Sequence, residues 1–214
     1  MTDVEFSNKK ILVLAPHTDD GELGCGATIT KLIENNNDVY YAAFSACKQS
    51  VLKDFPEDIL VTEVKAATNI LGIKSKNLIL FDFQVRTFNF HRQEILDTLI
   101  KLKNEINPDI IFIPSVNDLH QDHSTIANEA IRAFKNCTIL SYEVPWNNVS
   151  FYTGCFVILE EKHLNKKIQA IHEYKSQSHR GYINEEFIRS LATVRGVQVG
   201  VRYAETFDVV RLIL

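Results

Sequence analysis

Two short clusters of histidines and carboxylates carry the side chains of this sequence that could do chemistry. Residues 17–20 read His-Thr-Asp-Asp, and residues 120–123 read His-Gln-Asp-His. Imidazole nitrogens and carboxylate oxygens are common zinc ligands. Each cluster follows a short, continuous apolar run that is typical of a buried strand. Because ligands of open α/β sheets bind beyond the carboxyl ends of the strands, the two clusters together predict a metal site there.

The first cluster offers two metal ligands and a base. His17 and Asp20 are three residues apart across a turn and can converge on one ion, as a site with three protein ligands and an open position requires. Asp19 stands between them, points elsewhere, and could take a proton from metal-bound water. The alternative is that these carboxylates cap the following helix. Capping explains one carboxylate, but not two adjacent ones beside a histidine.

Glycines after the first strand raise a second alternative, a nucleotide-binding loop. Gly21, Gly24 and Gly26 have the order G-x-x-G-x-G instead of G-x-G-x-x-G, and the second strand ends at residues 43–45 without the expected acidic residue. Two carboxylates in the loop would also repel a pyrophosphate. We interpret the glycines as allowing a tight turn and close helix packing, and we keep a Rossmann-type nucleotide-binding module as an alternative.

The second cluster can complete the metal site. His123 can supply the third ligand. His120 is then free to donate a hydrogen bond to an oxyanion or a proton to a leaving group, and Asp122 could orient it by fixing its tautomer. The alternative is a surface loop with two solvated histidines, or a helix cap by Asp122. Two such clusters at strand ends of one sheet favour the metal site.

Further polar and aromatic residues follow the predicted strands at the same sheet end. Arg86 comes after the third strand and Lys48 after the second, so both are candidates for binding a polar or anionic group of the substrate. Trp146 could line a substrate cleft or pack against the core. Cys25 has no visible base partner, so we interpret it as a small buried thiol.

Composition restricts the class of protein. The 214 residues are 45% hydrophobic and 23% charged, with a formal net charge of −4, so a nucleic-acid partner is not expected. No apolar run approaches the ~20 residues that span a bilayer, and residues 1–10 lack the apolar core of a signal peptide. We therefore expect a cytoplasmic protein. The four cysteines form no C-x-x-C pair, so structural disulfides are not expected.

Strand and helix patterns alternate up to residue 144, which predicts an α/β fold with a mostly parallel sheet and helices on both faces. We expect a single domain over residues 1–214, with a core over 9–146 and an extension over 147–214 that completes the fold. The segment 203–214 is predicted to end in an edge strand. The other predicted strands are 10–15, 39–45, 77–83, 109–113, 138–144 and 155–159, and the predicted helices are 24–34, 56–71, 93–106, 123–134, 162–174 and 185–195.

With their neighbours, the two clusters resemble the LmbE-like, or PIG-L, family of zinc-dependent N-acetylglucosaminyl deacetylases. The resemblance runs from about Lys10 to Trp146 and implies a Rossmann-like α/β fold. In the second motif a histidine stands two residues before an Asp-His pair. The segments that carry the resemblance are Ala15–Asp20, Gly24–Thr28, Asp118–His123, Glu63 with Ala66-Ala67 and Leu71-Gly72, and, more weakly, Tyr203–Phe207.

Carried over by position, the resemblance implies a site and an activity. Asp19 would be the general base, and His120 would stabilise the oxyanion or act as an acid, with Asp122 orienting it. The implied activity is removal of an acyl group, most often acetyl, from the amide nitrogen of an amino sugar or amino-sugar conjugate. A homo-oligomer is compatible with the resemblance, and iron could replace zinc in the cell. The implied zinc ligands are His17, Asp20 and His123.

This sequence departs from the family pattern at positions that bear on the substrate. Thr18 stands where the family commonly has Pro, Gly21 where it has Glu directly after the second Asp, and Leu60 where it often has Arg. The metal ligands and the base are unchanged, so the departures concern loop shape and substrate contacts. Two further alternatives therefore stay open: a metal amidase acting on a non-sugar amide, and a metal-stabilised structural protein.

Overall fold

Seven strands form one mixed sheet in the computed structural model, which describes residues 6–213. The strand order is β3-β2-β1-β4-β5-β7-β6. The first five strands are parallel, and β7 is antiparallel to both of its neighbours. This confirms the predicted α/β fold with a mostly parallel sheet. The strands are β1 (Lys10–His17), β2 (Asp38–Ser45), β3 (Leu78–Leu80), β4 (Ile110–Pro114), β5 (Thr138–Tyr142), β6 (Cys155–Leu159) and β7 (Tyr203–Arg211).

Helices cover both faces of this sheet. Alternate residues of a strand point to opposite faces, so Ile11 and Val13 of β1 pack with α1 and α2, while Leu12 and Leu14 pack with α3 and α4. No helix within residues 6–213 is long and apolar enough to cross a membrane. The helices of this part of the chain are α1 (Asp20–Glu34), α2 (Ile59–Leu71), α3 (Arg92–Ile106), α4 (Gln121–Ala133), α5 (Glu161–His172) and α6 (Glu185–Gln198).

The two clusters meet because β1 and β4 are neighbours in the sheet. β1 pairs in parallel with both β2 and β4, so the order of the strands along the chain reverses at this point. β1 ends at His17 and β4 ends at Pro114. The loops that follow both strands therefore lie at one edge of the sheet, where α/β proteins bind their ligands.

The first helix begins earlier than predicted and is broken. α1 begins at Asp20 and leaves helical geometry at Cys25, which has φ −145° and ψ 22°. Lys167 Nζ donates to the freed carbonyl of Leu23 over 2.7 Å, and the carboxylate of Glu205 accepts from Thr28 N over 2.7 Å and from Ala27 N over 3.3 Å. Lys167 Nζ and Glu205 Oε1 are 2.6 Å apart. This buried ion pair replaces the hydrogen bonds that the break removes.

The C-terminal strand is the main difference from the predicted topology. β7 was expected at an edge, but it lies between β5 and β6, and β6 forms the edge. The physical reason is that β7 pairs along its length with both neighbours, and alternation in one segment does not identify pairing partners. The predicted strand segment 203–214 ends at Leu214, and the segment 1–10, predicted to lack a signal-peptide core, includes residues 1–5. Leu214 and residues 1–5 lie outside the described residues.

Candidate metal centre and active site

Three potential metal-ligand atoms from the two clusters lie at nearly equal distances from one another. Asp20 Oδ2 is 3.1 Å from His17 Nδ1 and 3.1 Å from His123 Nε2, and these two nitrogens are 3.2 Å apart. Ligand atoms at about 2.0–2.1 Å from a tetrahedral zinc ion are about 3.3 Å from one another. The triangle therefore has the size and the donor atoms that one divalent cation needs.

His120 offers a further nitrogen beside this triangle. His17, His120 and His123 present ring nitrogens that all lie within 4.8 Å of one another. These three imidazoles are therefore a second possible ligand set. The longest distance between ligand atoms is 3.2 Å in the set that contains Asp20, whereas the three imidazole nitrogens are known only to lie within 4.8 Å of one another. The two sets differ in one residue each, which makes them separable by substitution.

A buried carboxylate holds each of the two histidines of the triangle from behind. Asp122 Oδ2 is 3.0 Å from His17 Nε2, and Asp118 Oδ2 is 2.8 Å from His123 Nδ1. The side chains of both aspartates are fully buried. A carboxylate on the second ring nitrogen orients a metal-binding imidazole and leaves the first nitrogen as the ligand. Both histidines therefore have the partner that a metal ligand usually has.

The carboxylates stabilise positive charge at the centre of the triangle. Burial lowers the pKa of His123, but Asp20 and Asp118 outweigh it and raise this pKa to about 10. Burial also opposes the rise at His17, whose pKa is nevertheless raised, chiefly by Asp20. The pKa of Asp20 is held well below its usual range by the two histidines, against the effect of burial. A field of this sign suits a divalent cation between neutral imidazoles.

Asp19 is half-buried beside the triangle and lines the adjoining cavity. It is the N-cap residue of α1, but its side chain makes no capping hydrogen bond. The helix-capping alternative is therefore wrong for Asp19. Burial, and then the charge of Asp20, raise the pKa of Asp19 to about 6. The carboxylate remains available to a ligand in the cavity.

His120 caps α4, which fixes its tautomer. Its Nδ1 accepts a hydrogen bond from the backbone N–H of Asp122 over 3.2 Å, so the ring proton is assigned to Nε2. Burial and the nearby His17 and His123 lower the pKa of His120 to about 4. His120 is therefore a neutral imidazole that lines the cavity and carries a donor N–H.

The prediction that the carboxylate of Asp122 orients His120 is wrong. Asp122 Oδ2 instead accepts from the backbone N–H of Arg86 over 2.6 Å and contacts His17, while Oδ1 accepts from Phe88 N over 3.3 Å. Asp122 lies in the first turn of α4, where side chains point toward the helix N-terminus. Its carboxylate thereby reaches β1 and the loop after β3, and only its main chain contacts His120.

The two predicted substrate-binding cations have different positions. Arg86 lines the cavity beside His120 and adopts a left-handed backbone conformation, with φ 69°. Lys48 Nζ is 2.5 Å from Asp82 Oδ2 and does not line the cavity. Lys48, which begins a short 3-10 turn, therefore lies in a surface ion pair outside the cavity, and its contact with the substrate stays a prediction.

A buried network holds the turn that carries Asp19 and Asp20. The hydroxyls of Tyr41 and Tyr174 lie 2.9 Å and 2.7 Å from the carbonyl oxygen of Thr18, and both contact the buried carboxyl group of Glu22. A Cβ atom at Gly21 would lie 2.4 Å from the Tyr41 ring. A side chain larger than that of glycine at residue 21 would therefore displace the Tyr41 ring.

The cavity next to the triangle has a volume of about 220 Å³. Trp146 lies in its wall, as one of the two interpretations of this residue held. Three further residues of the loop between α5 and α6 were missed in the sequence, because nothing in a loop sequence shows which way it folds. These lining residues are Gln177, Arg180 and Tyr182. Asp118 was also missed, although a carboxylate near a candidate ligand histidine is a usable signal.

The carboxyl end of this α/β sheet thus carries a His-Asp-His triangle that could hold a divalent cation, with a free carboxylate beside it. The comparisons with known proteins identify the family. The PIG-L family, described as GlcNAc-PI de-N-acetylase, matches residues 12–134, more than half of the 214 residues. The chain belongs to this family.

Several relatives are named as deacetylases. The chain is 28% identical to an uncharacterized deacetylase, YaiS, of Escherichia coli K12, over 78% of this chain and 91% of that protein. It is 25% identical to diacetylchitobiose deacetylase of Thermococcus kodakarensis, over 92% and 81%. The structure of N,N'-diacetylchitobiose deacetylase from Pyrococcus horikoshii superposes with a TM-score of 0.78, at 23% identity, over 94% of this chain and 83% of that one.

Proposed function

We propose that this protein is a metal-dependent deacetylase that removes the acetyl group from the amide nitrogen of an amino sugar or an amino-sugar conjugate. The observation that carries the proposal is the triangle of His17, Asp20 and His123. The carboxylate of Asp19 lies beside this triangle and makes no capping hydrogen bond to the helix. Family membership and the named activities of the relatives support the same reaction class.

The proposed metal is zinc, held by His17, Asp20 and His123, with iron as the alternative because nitrogen and oxygen ligands suit both ions. A divalent cation in such a site supplies an acidified water and a Lewis acid for the amide carbonyl. Asp118 and Asp122 keep His123 and His17 oriented through their outer ring nitrogens. The site thus has ligands, outer partners and a neighbouring cavity.

Asp19 is the proposed general base. Its half-buried carboxylate takes the proton from the attacking water and then delivers it to the leaving amine, so that one group serves both proton transfers. Burial raises the pKa of this carboxyl group, which makes Asp19 a stronger base than an exposed aspartate.

His120 is the proposed donor to the oxyanion. Because its Nδ1 accepts from the backbone of Asp122, its Nε2–H can be donated to the amide oxygen as negative charge develops there. Losing one such donor typically lowers kcat by about 10²–10³-fold. The role needs no protonated imidazole, which agrees with the lowered pKa of His120.

The cavity limits what the site encloses. Its volume of about 220 Å³ is below the roughly 300–1,000 Å³ of pockets that enclose drug-sized ligands. We propose that it takes the N-acetylated sugar unit and that the rest of a larger conjugate lies outside. This fits amino-sugar conjugates of different sizes as substrates.

Release of acetate from a set of N-acetylated compounds tests the proposed function. The metal-loaded protein is expected to release acetate from N-acetylglucosamine or a conjugate of it, and not from N-acetylated amino acids or anilides of similar size. Acetate is measured by an enzyme-coupled assay, with a chelator-treated sample as the control. Release from the non-sugar amides alone would contradict the proposed substrate class, and the absence of release from every amide would contradict the reaction.

A further inference from the structure

We propose that Arg180, with Trp146 and Tyr182 beside it, forms a recognition site for a negatively charged group on the substrate, a carboxylate or a phosphate. The inference rests on the proposed function, because it concerns the cavity that adjoins the metal centre. It adds to that function a substrate class: N-acetylated amino sugars that carry an anionic substituent.

The guanidinium of Arg180 is fixed by neutral groups. Its Nε donates to Gln177 Oε1 over 2.6 Å and its Nη1 donates to the hydroxyl of Tyr182 over 2.9 Å. Within residues 6–213, no carboxylate oxygen lies within 4.0 Å of it, although the side chain is half-buried and lines the cavity. Nη2 and the second N–H of Nη1 are left for a ligand. An arginine fork of this kind matches the oxygens of a carboxylate or phosphate.

Most other arginines that the structure describes pair with a carboxylate, so the lack of such a partner distinguishes Arg180 from them. Arg86 and Arg211 are the exceptions, and of these Arg86 lines the same cavity. The unpaired arginines are therefore concentrated at the cavity. The paired arginines are Arg92, Arg132, Arg189, Arg195 and Arg202.

Two sets of contacts hold the loop that carries Arg180 in place. The buried carboxylate of Glu63 accepts from Ser176 N over 2.9 Å and from Ser176 Oγ over 2.6 Å, and this fixes the turn that ends at Gln177. On the other side, the rings of Tyr182 and Trp146 are stacked, with centroids 3.7 Å apart and an interplanar angle of 5°. A cation held in place before binding loses little conformational entropy when a ligand arrives.

An unpaired cation matters here because carboxylates also line the cavity. Asp19 and Asp20 line it and would repel an anionic ligand, so such a ligand needs a compensating positive charge. An alternative is that Arg180 only acts on Asp19 through its charge. That effect would be the same for neutral and charged substrates, so comparing matched pairs of ligands separates the two roles.

The fluorescence of Trp146 allows binding at this position to be measured separately from acetate release, because it is the only tryptophan of the chain. The ligand pairs are N-acetylglucosamine with N-acetylglucosamine 6-phosphate, and N-acetylglucosamine with N-acetylmuramic acid, which adds a carboxylate. We expect the charged member of at least one pair to bind about 10-fold or more tightly than the neutral one. The phosphate and carboxylate pairs identify which anion the site prefers. Added salt is expected to weaken this preference.

Substitutions at Arg180 decide the assignment. Arg180→Gln is expected to remove the preference for the charged ligand while neutral ligands bind as before, and Arg180→Lys is expected to keep part of it, as a point charge without the fork. Arg202→Gln is the matched control, since this arginine is largely exposed, pairs with Glu161 and does not line the cavity. Its preference should equal that of the unmodified protein.

Equal affinities for the charged and neutral members of both pairs would overturn the proposal, as would a preference that survives Arg180→Gln. Acetate release is measured separately on the same compounds. A charge preference without acetate release would refute the deacetylase reaction and keep the anion site. Acetate release without a charge preference would support the deacetylase reaction and refute the anion site.

Discussion

Asp19→Asn is expected to lower kcat for acetate release by about 10²–10⁴-fold, the contribution typical of a positioned general acid or base. The substitution keeps the size of the side chain but removes the group that accepts a proton from water. Asp19 has no capping bond, so the start of α1 should be unaffected. The metal content should also be unchanged, because Asp19 is outside the ligand triangle. The measurement is kcat together with metal content on the same preparation.

Asp82→Asn is the matched control for this substitution. Asp82 also follows a strand but is largely exposed and pairs with Lys48, outside the cavity. Its kcat should be within about 2-fold of the unmodified protein, as for surface ion pairs of little energetic weight. If Asp19→Asn kept full activity, Asp19 would not be the base. If it lost the metal, Asp19 would be a ligand and the assigned triangle would be wrong.

Lys167→Met is expected to lower the free energy of unfolding by about 3–5 kcal/mol, because it leaves a buried carboxylate without its cation. Lys167 and Glu205 are both nearly fully buried and lie 2.6 Å apart. The substitution also removes the donor to the carbonyl of Leu23 at the break in α1. Denaturant unfolding followed by circular dichroism measures the change.

Two further variants test the cause of this loss. Lys162→Met removes a lysine that pairs with Glu34 at the surface, where the side chain of Lys162 is 54% exposed, and should lower the free energy of unfolding far less than Lys167→Met. Combining Lys167→Met with Glu205→Gln should recover part of the loss, since no unpaired charge then remains. A loss of less than about 1 kcal/mol for Lys167→Met alone would show that the pair does not stabilise the broken helix.

The alternation of apolar runs with helical periodicity was sufficient to predict most of the fold. β6 lies where it was predicted, at residues 155–159, and Gly72 ends α2 with φ 95°, as its position suggested. These features depend on local patterns, which a sequence carries directly. The two clusters could be brought to one edge because parallel neighbouring strands end together.

Features that depend on distant contacts could not be predicted. The break at Cys25 depends on Lys167 and Glu205, which are more than a hundred residues away in the chain. The place of β7 inside the sheet is set by pairing on both sides. In each case the local sequence is compatible with several arrangements, and packing selects among them.

The same limit explains the errors at the site. The partner of Asp122 depends on how α4 approaches β1, so sequence proximity to His120 was misleading. Arg180 was missed because the fold of its loop is set by Glu63, more than a hundred residues earlier. The ligand types and their spacing were informative, while the orientation of each side chain required the structure.

The metal content of the purified protein, of Asp20→Ala and of His120→Ala tests the central claim most directly. We predict about one zinc or iron per chain in the unmodified protein, retention of the metal in His120→Ala and its loss in Asp20→Ala, because three close protein ligands define the site. Loss in His120→Ala with retention in Asp20→Ala would favour the three-imidazole set instead. No metal in the unmodified protein, even after reconstitution, would contradict the metal-dependent deacetylase proposed here.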